Sequence, residues 1–277
     1  MKTVKVLGCQ MMVEEDKKMN LEKAEEMIAR GIRKYQPDII ILPEMFNTPY
    51  DNSYFPEFSE AYGGDTTLKI QKLAKEQGVM IIAGSIPEQG EGEKEIYNTT
   101  YVFGSKGELL GKHRKIHLFD IDIPGKITFK ESDVLSPGEE ITVLDTKFGK
   151  IGIAICYDVR FPELFQIMEK EGARLVVIPG AFNTTTGPAH WELLMRSRAL
   201  DNQVYVAAVS PARNSKASYQ AYGHSMIVDP WGRILDELEE KEGFLYRELD
   251  IDYLHQVRGE LPTRKNRRVS LYDTIKK

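Results

Sequence analysis

A chain of 277 residues, 29% of them charged with both signs present and a formal net charge of −5, lacks the basic face that a general nucleic-acid binder needs. Two cysteines and five histidines, with no Cys-x-x-Cys pair and no cluster at ligand spacing, exclude a disulfide framework and suggest neither a metal nor another cofactor. The chain is long enough to bury roughly three quarters of its unfolded surface, no apolar run approaches membrane-spanning length, and Met1-Lys-Thr-Val-Lys5 leads straight into a strand with no signal-peptide pattern. The expectation is therefore a cytoplasmic protein with no membrane or nucleic-acid partner, in a reducing compartment.

The first apolar, β-branched run, 3–9, predicts a strand. Its Cys9 has no charged junction after it and reads as a packing residue. An amphipathic helix follows at 20–34, then a strand at 38–42 that ends in Leu42-Pro43-Glu44. A carboxylate there either caps a turn or is a partly desolvated base with a raised pKa. After a helix at 66–77 and strands at 79–83 and 97–103 comes Gly111–Asp120, whose cations precede Ile116, Leu118 and Phe119. That order either draws Lys115 into a protected place or leaves it on a solvated loop. Glu131 lies just before the turn residues Leu135-Ser-Pro-Gly138 and is unremarkable by itself.

Strands at 141–145 and 150–155 lead to Cys156, and helical spacing resumes from Phe161 to Lys170. Cys156 thus sits at a strand-to-helix junction, where free N–H groups and a partial positive charge favour a thiolate and an oxyanion. The competing reading is a small core residue at a strand end. A strand at 174–178, a helix at 188–201 and strands at 204–209, 224–228 and 243–249 complete the pattern. The dense basic run Arg264–Arg268 reads as a solvated tail or a contact between subunits.

Alternating strands and helices with no linker predict one α/β layer domain over 1–277. Ile39-Ile-Ile-Leu-Pro-Glu-Met-Phe-Asn47 and Leu175-Val-Val-Ile-Pro-Gly-Ala-Phe-Asn183 echo each other, which suggests two similar halves, two facing sheets and helices outside. A thiol, a carboxylate able to take its proton and an ammonium able to hold an oxyanion form a possible catalytic set. Spacing does not show that they meet.

Leu42-Pro-Glu-Met-Phe46, Arg114-Lys-Ile-His-Leu118 and Ile155-Cys-Tyr-Asp-Val-Arg-Phe-Pro-Glu163 resemble, in order, the three signatures of the nitrilase superfamily. Phe46–Tyr50, Lys115–Phe129 and Pro179–Glu192 are most similar to its ω-amidase branch. The resemblance implies a four-layer αββα sandwich that dimerises through helices flanking the nucleophile, with 259–277 an extension contacting the partner subunit. It also implies a small-molecule amide substrate, a dicarboxylate monoamide such as 2-oxoglutaramate or 2-oxosuccinamate, cleaved through a cysteine thioester. Glu44 would be the base, Lys115 and the Tyr157 N–H would hold the oxyanion, and Glu131 would orient Lys115.

A guanidinium fork suits the distal carboxylate. Arg160 resembles the residue that reads it, and Thr186 its hydroxyl partner, with Tyr50, Phe182 and His190 lining the pocket. The alternative for Arg160 is an ion pair with Asp158 or Glu163. A Cys-His hydrolase pairing Cys156 with His190 or His224 is disfavoured, because a nucleophile elbow needs a small residue where Asp158 stands. Hydrolysis of a carbamoyl-β-amino acid or a simple aliphatic amide is the nearer rival. A non-catalytic partner-binding scaffold is the reading from another class.

Overall fold

Ile39-Ile40-Ile41 has no polar face, so a strand built from it is stable only when covered on both sides. The computed structural model describes residues 3–92 and 94–277, and it covers this strand twice over. In chain order the elements are β1 (Thr3–Gln10), α1 (Lys17–Tyr35), β2 (Ile39–Ile41), α2 (Phe55–Phe58), α3 (Asp65–Gln77), β3 (Met80–Gln89), β4 (Ile96–Phe103), β5 (Leu109–Arg114), β6 (Asp120–Ile123), β7 (Ile127–Lys130), β8 (Thr142–Thr146), β9 (Gly149–Ile153), α4 (Pro162–Lys170), β10 (Leu175–Pro179), α5 (Gly187–Asn202), β11 (Tyr205–Val209), β12 (Met226–Val228), β13 (Ile234–Glu237), β14 (Gly243–Asp250) and α6 (Ile251–Glu260).

Two six-stranded sheets, ordered β14-β1-β2-β3-β4-β5 and β13-β12-β11-β10-β9-β8, face each other. Val6, Ile39, Ile41 and Ile82 of the first meet Ile151, Ile153, Val177 and Ala207 of the second in the central core. The alternate residues Leu7, Ile40 and Ile81 pack outward on Ala24 and Ile28 of α1 and Ile70 and Leu73 of α3. On the far side, Val176, Ile178 and Val206 pack on Phe165 and Met168 of α4 and Met195 and Ala199 of α5. The result is the expected αββα sandwich. Each fully buried isoleucine of β2 contributes about 1.5–3 kcal/mol of hydrophobic stabilisation.

The echoing segments occupy equivalent places, each a parallel strand between two parallel neighbours. Their ends converge: the Ala181 N–H donates to Glu44 Oε2 at 2.7 Å.

Besides the single-turn α2, five elements have no counterpart in the sequence expectation. β5 (LLGKHR) is a polar edge strand, β6 and β7 form a separate hairpin, β13 is a short outer strand, and α6 buries only Ile251, Leu254 and Val257. Each exposes one face, so none carries a continuous apolar run. Beyond α6 the tail returns onto α4 of its own chain. Arg264 and Arg267 reach the buried Glu169, Lys170 pairs with Asp273, and Thr274 Oγ1 donates to Gln166 Oε1 at 2.5 Å. Two arginines of the basic run are thus engaged within the chain.

One glycine fixes where Glu44 sits. The ladder between β3 and β4 is irregular between Ala83 and Ile86, where Gly84 adopts φ +38° and a Cβ on it would lie 2.0 Å from the Pro43 carbonyl oxygen. Next to it, Ser85 accepts from the Met45 N–H at 3.0 Å and from the Phe46 N–H at 3.1 Å. Gly84→Ala should therefore push the 43–46 segment away and lower stability by about 2 kcal/mol or more. Chemical denaturation checks the first effect, and activity per folded molecule checks the displacement of Glu44.

Candidate active site

Lys115 follows β5, and its N–H donates to the Asn98 carbonyl of β4 at 2.8 Å. Its side chain is 0% exposed, a costly place for an ammonium unless each proton finds an acceptor. All three do. Nζ donates to Glu44 Oε1 at 3.0 Å, to Glu131 Oε1 at 2.9 Å and to the Tyr50 hydroxyl at 3.2 Å. Burial alone would favour the neutral amine, but Glu131 and Glu44 override it and hold the ammonium charged.

The carboxylates are satisfied in turn. Glu44 accepts from Asn98 Nδ2 at 2.9 Å as well as from Ala181 N–H. Glu131 accepts from the Tyr50 hydroxyl at 2.6 Å and from the Phe119 N–H at 2.6 Å. Burial and the charge of Glu131 raise the Glu44 pKa against the opposing pull of Lys115. Glu44 thus has the enhanced proton affinity of a base.

Cys156 begins a single 3-10 turn, Cys156–Arg160, and has φ +45°, a left-handed conformation uncommon outside glycine. Asp158 holds that turn. Its buried carboxylate accepts from the Ile155 N–H at 2.9 Å and from the His117 N–H at 2.9 Å. It also faces His117 Nδ1 at 2.8 Å and His113 Nε2 at 3.3 Å. The two histidines lie two residues either side of Lys115, so Asp158 ties the thiol's turn to the lysine's segment. Burial opposes its ionisation, but hydrogen bonds from His113 and His117 prevail and keep it well below the usual carboxylate range.

The thiol corrects one expectation. Burial first, and then the charge of Glu44, push the Cys156 pKa well above its ordinary value. The helix α4 starts only at Pro162, and burial beside Glu44 opposes the thiolate that the junction alone would favour. Cys9 is fully buried and raised to about 12 by burial, as befits packing.

Arg160, Phe182 and His190 form a second group, Thr186 lies one turn before His190, and none of the four, Phe182 and His190 included, lines the main cavity that Tyr50 lines. The Arg160 guanidinium lies 5.0 Å from the Phe182 ring centre and 5.5 Å from that of Tyr157, with Nη1 at 3.2 Å from His190 Nδ1. Arg160 makes no ion pair among the described residues, so neither Asp158 nor Glu163 takes it. Phe182 packs edge-on against Trp191 at 5.1 Å. The Thr186 hydroxyl donates to Asn183 Oδ1 at 3.3 Å. His190 is engaged with Arg160 and His224 with Glu237 at 3.4 Å, so neither takes the part of a base to Cys156.

A cavity of about 710 Å³ descends from exposed Glu14, Glu15 and Lys216 to Glu44, Tyr50, Ala181 and Tyr219. Tyr219 was not foreseen. Its hydroxyl donates to the Ala181 carbonyl at 2.5 Å and its ring lies 4.6 Å from that of Tyr50. Asn98, Asp158, His113 and His117 were also missed, although the two histidines bracketing Lys115 were a visible signal. Among the described residues no group of three or more His, Cys, Asp or Glu side chains is poised to hold a metal, and no helix is long and apolar enough to cross a membrane.

Residues 3–259 match the carbon-nitrogen hydrolase family model. Omega-amidase NIT2 of Mus musculus is 51% identical over 272 residues, covering 98% of each chain. Its Homo sapiens counterpart is 53% identical over 234 residues, 84% of each. The crystal structure of Saccharomyces cerevisiae Nit3, a member of branch 10 of the nitrilase superfamily, superposes with a TM-score of 0.90 at 42% identity, covering 96% of this chain and 97% of that one.

Beside Lys115, Glu88 anchors the end of β5. It accepts from Lys112 Nζ at 2.6 Å, Arg114 Nε at 2.8 Å and Thr99 Oγ1 at 2.6 Å. Burial would raise its pKa, but the hydrogen bonds from Arg114, Lys112 and Thr99 bring it down to about 2. A depressed carboxylate stabilises the fold above its unfolded pKa of roughly 4.3, and that stability is lost as pH falls toward the folded value. Stability measured by denaturant should fall by up to about 3 kcal/mol over that window, less the screening at partly exposed Lys112 and Arg114. Glu88→Gln should flatten that acid limb.

Proposed function

The chain belongs to the carbon-nitrogen hydrolase family, and from that premise we propose that it is an ω-amidase, releasing ammonia from dicarboxylate monoamides of the 2-oxoglutaramate and 2-oxosuccinamate type. The observation that carries the reading is the sealed Glu44–Lys115–Glu131 set around a buried thiol, one turn from a guanidinium with no carboxylate partner among the described residues. The relatives named as omega-amidases support the substrate class.

In this mechanism Glu44 takes the Cys156 proton as sulfur attacks the amide carbon, so no free thiolate accumulates. The carbonyl electron pair moves to oxygen, which is held by Lys115 Nζ and the Tyr157 N–H. The Tyr50 contact, the longest of the three on Nζ, is the one the oxyanion displaces. Protonated Glu44 then delivers its proton to the departing nitrogen as the C–N bond breaks, leaving a thioester and ammonia. Glu44 next deprotonates a water that attacks the thioester, the C–S bond breaks, and the proton returns to sulfur. Glu131 and Tyr50 fix the lysine's direction throughout. Arg160 reads the distal carboxylate, with Thr186, Phe182 and His190 around it.

We infer as well that the chain works as a homodimer or larger homo-oligomer in the cytoplasm, a single domain whose segment 259–277 touches the partner subunit. In support, Leu193 (65% exposed), Leu200 and Trp231 share one surface cleft along α5 and offer apolar side chains that a partner could cover. The tail adds exposed Val269, Leu271, Tyr272 and Ile275. Leu193→Asp combined with Trp231→Ala should convert a dimeric mass to a monomeric one in light scattering. An unchanged mass would place the interface elsewhere.

Ammonia release from 2-oxoglutaramate, succinamate, a carbamoyl-β-amino acid, a neutral aliphatic amide and a nitrile tests the substrate class. Cys156→Ala should abolish turnover in a folded protein, and Glu44→Gln should lower it by orders of magnitude. Arg160→Ala should cost about 2–3 kcal/mol on 2-oxoglutaramate and much less on the neutral amide. Preference for the carbamoyl substrate would replace the ω-amidase reading with its nearest rival.

A further inference from the structure

Asn183 is 4% exposed, and its two ends are treated differently. Oδ1 accepts from the Thr185 N–H at 2.9 Å, the Thr186 N–H at 2.8 Å and the Thr186 hydroxyl at 3.3 Å, closing the turn that leads into α5. Nδ2 is buried with no hydrogen-bond partner. A buried amide nitrogen normally finds an acceptor, and leaving it without one is unfavourable. Its orientation is not a free choice, because turning the amide over would set two hydrogens against the Thr185 and Thr186 N–H groups.

The neighbourhood says what kind of acceptor is missing. Asn183 borders Tyr219, whose phenol feels the charges of Cys156 and Glu44, spends its own proton on the Ala181 carbonyl, and is reached by the Asn183 amide only outside good hydrogen-bond geometry. Its neighbour in sequence is Phe182, and over the Phe182 ring lies Arg160, whose Nε is also buried without a partner. Two donors without a well-formed partner thus belong to one neighbourhood around Phe182.

We propose that Asn183 Nδ2 donates to an oxygen at the acidic end of the substrate, a carboxylate or the adjacent 2-oxo group, and is a second specificity residue alongside Arg160. This rests on the ω-amidase reading. The acidic end carries acceptors only, which suits two donors. A neutral alkyl amide leaves both orphans unpaired, so the pair selects against it as well as for the acid.

Asn183→Asp separates the residue's two tasks, since it keeps the acceptor that closes the turn and replaces the donor with a negative oxygen. The expected result is a ratio of KM for 2-oxoglutaramate to KM for valeramide raised about tenfold or more, the loss of one charge-assisted hydrogen bond. The change should fall mainly on KM, with the melting temperature held. Asn183→Ser, which keeps a shorter acceptor and loses the amide, should shift the ratio the same way and serves if the Asp variant folds poorly. If the wild type uses both amides equally, the ω-amidase reading fails and this inference with it. If the wild type prefers the acid and both variants keep that preference, or lose both substrates in proportion, the inference alone is overturned.

Discussion

The ammonium of Lys115 has no water around it, and much of the local architecture answers that constraint. Stripping a charge of its solvent costs several kcal/mol, and the cost is offset only when every proton has an acceptor and every acceptor's remaining lone pairs are filled. Glu44, Glu131 and Tyr50 take the protons. Asn98, Ala181 and Phe119 then fill the carboxylates. Of these groups only Asn98 lies on a strand, β4; the others stand on four segments, after β2, β5, β7 and β10, so the ion is sealed only where the two sheets bring those segments together.

One cation between two carboxylates leaves the cluster with an excess negative charge, and that excess governs the thiol. Burial beside Glu44 makes a resting thiolate unfavourable, so proton transfer and attack on the substrate are coupled. A cysteine activated by a helix end would stand ready in its anionic form and react with any electrophile that entered. In the proposed mechanism the nucleophile is instead created on demand, by a base whose proton affinity is raised by the same surroundings.

The parts legible in the sequence were those that terminate apolar runs. Glu44 and Cys156 each end a strand that nothing else could cover, and the sequence order of three signatures selected Lys115 between them. The sandwich was legible for the same reason, since β2 and β10 have no polar side. Asp158 was read only as an obstacle to a nucleophile elbow, and that it also holds the turn was not foreseen. Its partners lie on a segment 41 and 45 residues away, and no local pattern reports that distance. Tyr219 and Asn183 were illegible because their surroundings are made by loops from different strands. The hairpin β6–β7 escaped because its alternation is between charged and half-buried residues.

Glu44, Lys115 and Glu131 precede the linker to β8, and Cys156 follows it, in a chain whose two sheets meet through a shared core. A nascent polypeptide therefore carries both carboxylates and the cation before it carries Cys156, and the set is complete only when the second sheet docks. Half-made molecules carry an ordinary thiol with no base beside it. The assembly of the thiol with the carboxylate and the ammonium is timed by the docking of the two sheets through their shared core.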